Sequence, residues 1–404
     1  MIAYFVIIVI LLLSLFLVNG ANILFATLIY IYLIYRSNSY SSINMMFLVG
    51  FSVYMYFPVL VNNYLFGTSF TLYYLSSLVS LYFLNNTSDL TYISYNYHSR
   101  KANKLNLKVY LLIAVSLVVA GLYTTWAAYF LPASVMYFAI CMIPGRLLHN
   151  VMLAVIQFLV FAAYYTLAWG GFGRTVIFGA MITCFLYFLY VNNIKVQKVY
   201  FTLVPILGAT LISGNRKELS WAIDISSVAQ DSAVGPYRLA STFMEHADQF
   251  GIDVSGFLDQ VVFTLLSFVP RVWWPTKPFG FGFEYVVRNM DDYLTLAGHS
   301  IAATLVGEHL YYLGSFGVVT ALIMVHLVAK LCKWVSNWQF FDGYGIVLLA
   351  ANMMVLVWGG MTSFSTRMLM PVISVSPIVL VYWFFMIYRS QTRIVGSGRI
   401  TGRY

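Results

Sequence analysis

The sequence predicts an all-α polytopic membrane protein, and three observations carry that prediction. Hydrophobic residues make up 61% of the 404, and the mean hydropathy is +0.83, well beyond an ordinary soluble domain. The apolar runs are long and continuous instead of alternating, which excludes a β-barrel. Charged residues are only 9% of the chain, yet nine ionisable groups gather between 270 and 318. That stretch reads PRVWWPTKPFGFGFEYVVRNMDDYLTLAGHSIAATLVGEHLYYLGSFGV. A chain that avoids charge elsewhere and concentrates it in one segment is expected to do its chemistry there.

A span needs roughly 20 apolar residues, fewer when the helix is short or tilted, and about twelve candidates follow from that length. They lie near 2–18, 21–35, 43–61, 70–84, 107–128, 132–145, 147–168, 175–191, 199–213, 310–329, 343–359 and 368–388. The first has no basic leader region and reads as a span, not a cleaved signal. Asn19-Gly20 is expected to turn the chain into the second span. Pro132 and Pro144 bracket a short sixth run. Gln157, His326 and Asn352 are isolated polar residues in spans, and each is expected to make an inter-helix hydrogen bond. Cys141, Cys184 and Cys332 fall in or beside spans with no disulfide or zinc spacing, and read as apolar filler.

Charge asymmetry then orients the chain. With the N-terminus in the cytoplasm, that side holds Arg36, Arg100, Lys101, Lys104, Lys108, Arg146, Lys195, Lys198, Lys330, Lys333, Arg389, Arg393, Arg399 and Arg403. These are 14 of the 22 basic residues, against only Asp89 and Asp342 among the 13 acids. Both termini are therefore expected in the cytoplasm. The net charge of +9 is a topogenic signal and implies no nucleic-acid partner. Three regions result: 1–213 with about nine spans, an outer loop over 214–309, and 310–404 with about three spans and a cytoplasmic tail.

Inside the outer loop, FLDQVVFTLLSFV (257–269) is apolar at 257, 258, 261, 262, 265, 266 and 269. Asp259, Gln260, Thr264 and Ser267 share the opposite face, so a helix lying in the outer membrane interface is expected. Trp273-Trp274 extends that anchor, and Pro275 and Pro278 stiffen the turn that carries Lys277.

The outer cations include Arg174 in GGFGR, Arg216 in SGNRK, Arg238, Arg271 after Pro270, and Lys277 in TKP. Arginine offers a planar pair of donors to a phosphate, and lysine a compact point charge. These five either clamp a pyrophosphate or pair with loop acids and lipid phosphates. Lys217, Arg288 and Arg367 read as solvent-facing or helix-end charges. His299 either accepts a proton from a hydroxyl as a general base or braces the loop through a backbone carbonyl. Glu308, nine residues on, either orients or acts as a base, caps a helix, or pairs with an arginine. His309 reads as an interfacial residue. Asp291-Asp292 has no third ligand nearby and reads as solvated, so no metal is expected.

At these residues the chain resembles a known family. PRVWWPTKP followed by GHSIAATLVGEHLYYLGSFGVV resembles the Wzy-type O-antigen (oligosaccharide repeat-unit) polymerases of Gram-negative bacteria. GGFGRT (170–175) and SGNRKE (213–218) resemble the arginine-bearing stretches that precede that loop in the same family, so the resemblance covers roughly 170–320. Gly280-x-Gly282, His299 and a glutamate near the next span also resemble the related O-antigen ligases, which tend to have asparagine where Ser300 stands. The resemblance implies a GT-C-like helical fold in the bacterial inner membrane and an inverting glycosyltransferase that needs no metal or other cofactor. The implied substrates are a growing glycan on undecaprenyl pyrophosphate and a lipid-linked repeat unit, with room for a chain-length regulator as partner. In the ligases a histidine at the position of His299 activates the acceptor hydroxyl. A ligase acting on a lipid A core and an exporter of the same lipid are the alternatives. The exporter is expected to carry ionisable groups inside its spans, which are almost free of charge here.

Overall fold

The computed structural model describes residues 19–90, 104–123, 130–168, 174–202, 205, 235–269, 271–290, 300–338, 343–368 and 384. The first predicted span, most of the ninth and twelfth, Arg216, Asp291-Asp292, His299 and the C-terminal tail lie outside them. Among the described residues the chain is all-helical, with no strand. Within these residues three helices are long and apolar enough to cross a membrane, Ser42–Tyr64, Leu147–Leu167 and Gly307–Ser336, and five further apolar helices are shorter.

The membrane-type helices follow the predicted runs. They are α1 (Asn19–Arg36), α2 (Ser42–Phe51), α3 (Phe57–Phe66), α4 (Thr71–Asn86), α5 (Lys104–Gly121), α6 (Leu131–Cys141), α7 (Leu147–Ala163) and α8 (Arg174–Val191). Asn19 and Gly20, expected to turn, are the first residues of α1. Neither residue type forbids a helix, glycine costing only about 1 kcal/mol there relative to alanine. Pro132 falls in the first turn of α6, the one helical position where a missing N–H costs nothing.

Every residue of α2 is buried, so α2 forms the centre of the bundle. It runs into α3 through a π-helical turn, Ser52–Tyr56. There the Tyr30 hydroxyl bonds Ser52 Oγ at 2.7 Å, and the Tyr30 and Tyr56 rings stack at 3.9 Å. Beside α2 lies α15 (Gly345–Ala350), also wholly buried. Small residues let neighbouring helices approach: a Cβ on Gly179 of α8 would fall 2.5 Å from the carbonyl oxygen of Ala351, just past α15.

Two of the three isolated polar residues bridge helices as expected. Gln157 accepts from the Tyr110 hydroxyl at 2.8 Å and donates to Ser134 at 3.1 Å, and Tyr82 bonds His326 at 2.8 Å. Asn352 differs: its amide donates to Leu348 O, four residues back in its own chain, at 3.2 Å. A nearby carbonyl one turn away satisfies the donor without a second helix. The three cysteines are free and buried.

The described part of the 214–309 region is folded into short helices. These are α9 (Gly235–Ala240), α10 (Phe243–Phe250), α11 (Val254–Leu266) and α12 (Phe281–Asn289), followed by α13 (Gly307–Leu313) and α14 (Gly317–Ser336). Residues 301–306 are non-helical and mostly buried. The last described helix covers 353–368, across the boundary expected between the final two spans. It does not run straight: Gly360 has φ +71°, a left-handed backbone that a helix interior does not contain.

Candidate functional site

Three groups of residues meet around α13, and the sequence singled out members of each. The first is the turn after α11. Asp253 caps that helix, its side chain accepting from Gly256 N at 2.8 Å. Leu258, Val262, Leu265 and Leu266 are exposed, as an interfacial helix requires. Gln260, expected on the wet face, is buried instead, because its amide donates to the Phe279 carbonyl (3.1 Å) and to the Glu284 carboxylate.

At the far end of α11 the chain turns back on itself. Lys277 is buried, and its Nζ donates to the carbonyls of Ser267 (2.6 Å) and Val269 (2.9 Å), a cation at the electronegative end of a helix. Arg271 donates to the carbonyls of Lys277 (2.6 Å) and Pro278 (2.9 Å), and its guanidinium lies over the Phe279 ring at 4.0 Å. The two candidate cations are thus brought together in one turn, each held by carbonyl oxygens. Burial lowers the Lys277 pKa below its ordinary value, and the Arg271 charge lowers it further. Trp273 stays 79% exposed beside them.

The second group is the aromatic layer between α10, α12 and α13. Phe243 meets Phe281, Tyr285 and Tyr311 with ring centroids 5.3–5.5 Å apart, mostly edge to face. Gly282 explains the G-x-G spacing: it accepts from Ile301 N at 3.1 Å, and a Cβ there would fall 2.1 Å from Ile301 O. Only glycine lets the 301–306 segment lie against α12. Arg288, read as a solvent-facing or helix-end charge, stands exposed in the last turn of α12, where it pairs with Glu284 (2.5 Å) and Asp253 (3.4 Å). Burial raises the Glu284 pKa, and Arg288 opposes the shift.

The third group is buried. Glu308 opens α13, and its carboxylate accepts from the backbone N–H of Met361, from Thr362 N at 3.2 and 3.3 Å, and from Thr362 Oγ1 at 2.9 Å. These N–H groups begin the helical run that follows Gly360. Glu308 is therefore a cap, but for a helix more than 50 residues along the chain. No arginine or lysine pairs with it among the described residues. The other side of the break is satisfied too, because Thr304 N donates to Trp358 O at 3.0 Å. Thr304 itself has φ +65°.

His309, read as interfacial, is buried. Its ring is enclosed by Phe257 and by Thr320, whose Oγ1 lies 3.0 Å from Nδ1. The Thr320 hydroxyl already donates to Gly317 O at 2.9 Å, so Thr320 accepts here and Nδ1 carries the proton. Nε2 is left as an acceptor 4.0 Å from Glu308 Oε1, with no hydrogen-bond partner. The residue lies on the wall of a groove of about 460 Å³ between α11, α14 and 361–368, whose lining also includes Val261, Leu265, Met324, Leu327, Phe364 and Met368.

Compared with protein-family models, with curated proteins and with solved structures, the chain matches none.

The remaining candidates divide. Arg238 is exposed on α9, over the Phe66 ring at 4.6 Å. Its helix touches α13, since a Cβ on Gly307 would lie 3.1 Å from Ala240 Cβ. Arg174 is the first residue of α8, with its side chain outside the described residues, as Arg216 and His299 are altogether. Among the described residues no cluster of three metal-ligating side chains exists. Sequence reasoning passed over Thr362, Gly360 and His309. Gly359-Gly360 inside an apolar run was the available signal of a broken helix.

Proposed function

We propose that this protein is a membrane glycosyltransferase of the O-antigen polymerase kind, with both termini cytoplasmic and its site on the periplasmic side of the inner membrane. The donor is a glycan on undecaprenyl pyrophosphate, and the acceptor is a repeat unit on the same lipid. The acceptor's hydroxyl oxygen attacks the anomeric carbon and the bond to the pyrophosphate oxygen breaks. The hydroxyl proton passes to His299 as undecaprenyl pyrophosphate leaves. Arg271 and Lys277, with Arg174, Arg216 and Arg238, neutralise the pyrophosphate as charge develops on it.

The observation that carries this reading is the joining of two unlike features around α13. A cation-bearing turn follows a helix with an exposed apolar face, and an apolar groove lies between that helix and a helix long enough to span a bilayer. A lipid pyrophosphate requires both environments, and the resemblance of 170–320 supports the same substrate. Arg271 is exposed, so a phosphate can compete with the two carbonyls that now hold its guanidinium.

The test is the lipopolysaccharide ladder of a strain lacking the gene, complemented with variants. Collapse to a single repeat supports polymerisation, and loss of all O-antigen makes the protein a ligase. In complementation, His299→Ala should abolish chain growth at normal membrane level, because losing a general base typically costs roughly 10²–10⁴ in rate. His299→Gln should not restore it, and a full ladder from that variant would remove His299 from the chemistry.

One feature favours a second reading. A helix interrupted by glycine within the bundle is a device that transporters use at their substrate sites. An exporter of the lipid-linked unit predicts unprocessed units retained on the cytoplasmic face, which a periplasmic glycosidase cannot reach in spheroplasts.

A further inference from the structure

The tip that joins α10 to α11 is apolar where a loop in water would be polar. Phe250, Ile252 and Val254 stand at alternate positions, and each is more than half exposed. Side chains of this kind favour leaving water in proportion to their apolar area, and packing within the chain covers less than half of each. The backbone of the tip is nevertheless firmly held. Asp253 N donates to Tyr312 O at 2.8 Å. Gly256, in the first turn of α11, comes so close that an added Cβ would lie 2.7 Å from Tyr312 Cε1. Ala247, near the end of α10, approaches Gly314 in the same way, its Cβ 3.4 Å from one added there.

Tyr312 and Gly314 belong to Gly307–Ser336, a helical run long and apolar enough to cross a membrane. Further along it Phe316, Val319, Ile323 and Leu327 are exposed and recur every three or four residues, so one face of α14 is built for lipid. The tip is thus fixed at the head of a lipid-facing helix. Its apolar surface also runs on along α11, where exposed Val254, Leu258, Val262 and Leu265 follow at intervals of four, four and three and share one face. Beyond α11 stand exposed Val272 and Trp273. At 1.5 Å per residue α11 separates these two apolar ends by about 18 Å.

We propose that the 250–254 tip inserts into the leaflet at the head of α14, with Phe250, Ile252 and Val254 among the lipid chains just below the headgroups, so that α11 is anchored in the bilayer at both ends. The partner is the apolar layer of the membrane, not its charge. No lysine or arginine lies between Arg238 and Arg271, whereas Glu245, Asp248, Asp253 and Asp259 do. Anionic headgroups therefore add no attraction, and apolar area alone draws the tip in. Asp253 does not oppose insertion, because its carboxylate is engaged by Gly256 N and Arg288. The proposal concerns where lipid touches the protein and stands apart from the polymerase reading.

The test uses the full-length protein in phosphatidylcholine nanodiscs, with an environment-sensitive fluorophore on Ile252→Cys. The three native thiols are buried, and the labelled parent gives their background. Val319→Cys on the lipid-facing side of α14 and Asp248→Cys, exposed two residues before Phe250, are the references. A nitroxide carried near the headgroup end of a lipid chain should quench the label at 252 about as strongly as at 319, and roughly threefold more than at 248. Aqueous iodide should quench at 248 and spare 252. Adding anionic phosphatidylglycerol should leave these ratios unchanged. A label at 252 that iodide reaches as freely as at 248 puts the tip in water and overturns the proposal. A label shielded from both quenchers is covered by protein, whether a second copy or another segment of this chain, and overturns it equally. Quenching by lipid that appears only with phosphatidylglycerol would overturn the apolar mode. If Ile252→Cys does not fold, Val254→Cys, at a similarly exposed position, gives the same decision.

Discussion

Two regions of this molecule solve the same problem with opposite charges. At the end of α11 the carbonyls that a helix leaves unpaired are met by Lys277, and those of the following turn by Arg271. At the start of 361–368 the unpaired N–H groups are met by Glu308. Both follow the polarity of the helix, cation to the carbonyl end and anion to the amide end. They differ in surroundings. The turn after α11 borders exposed Val272 and Trp273, so solvent or headgroups can replace part of what the cations supply. Glu308 is buried inside the bundle, where no water replaces it. Capping in the buried region therefore governs the fold, whereas at the rim it leaves exposed Arg271 within reach of a ligand while Lys277 stays buried on its carbonyls.

The sharpest way to break that contrast is Gly360→Ala. A left-handed backbone and a 2.8 Å approach to Thr304 O together should cost roughly 3 kcal/mol or more, read as a large drop in melting temperature in detergent. Gly67→Ala is the control, having a similar φ of +63° but nothing within 4 Å of the added methyl. It should cost only about 1 kcal/mol, and equal losses from the two would deny the crowding at Gly360.

Next comes Arg271→Lys. If Arg271 serves a pyrophosphate, activity should fall roughly tenfold, since lysine keeps the charge but loses the fork. A drop in stability with full specific activity would instead make Arg271 a brace for the carbonyls of Lys277 and Pro278.

Lys277→Met should be milder, about 1–2 kcal/mol, because two charge-assisted bonds are lost while the apolar stem over Phe263 is kept. Its pH dependence has a definite sign. Because burial lowers the folded pKa of Lys277, the unfolded chain binds the proton more tightly than the fold in the window just below 10.5. Stability should rise with pH there, and the methionine variant should lack that rise.

The smallest effect belongs to Glu284→Gln. Burial holds the folded pKa above the ordinary 4.5, so the fold binds the proton more tightly and stability should fall as pH rises through that interval. Melting curves of the glutamine variant across the same interval should be flatter.

Much of the helical frame was legible because lipid leaves the chain so few options. Runs such as 43–61 and 147–168 must be helices if they are in a bilayer, and they are helices here. Helix α11 was legible from its i, i+3, i+4 apolar spacing, and Asp253 one residue before it was a cap signal left unread. The Glu308 site was legible only in outline. That Glu308 could cap a helix followed from its type; which helix did not, since its partners lie more than 50 residues away. The expected span 343–359 stops short of Gly360, because composition carries no sign of φ. His309 was read as interfacial because a histidine beside a span has that option, and only packing against Phe257 and Thr320 removes it. Gln260 was misplaced for the same reason: a polar residue faces inward when a carbonyl such as Phe279 O is waiting there.

The π-helical turn at Ser52–Tyr56 has a bearing on how this chain tolerates change in length. Such a turn winds one residue more than a regular helix would into the same rise. Removing a single residue there would heal the ladder, yet each residue in an α-helix turns the axis by about 100°. Phe57–Phe66 would swing by that amount relative to Ser42–Phe51, carrying buried Val59 and Asn62 outward and unstacking Tyr56 from Tyr30. Exchanging Ser52 for another small hydroxyl residue should cost little, whereas a one-residue deletion would misregister everything beyond it. For this helix the count of residues is the inheritance to be guarded.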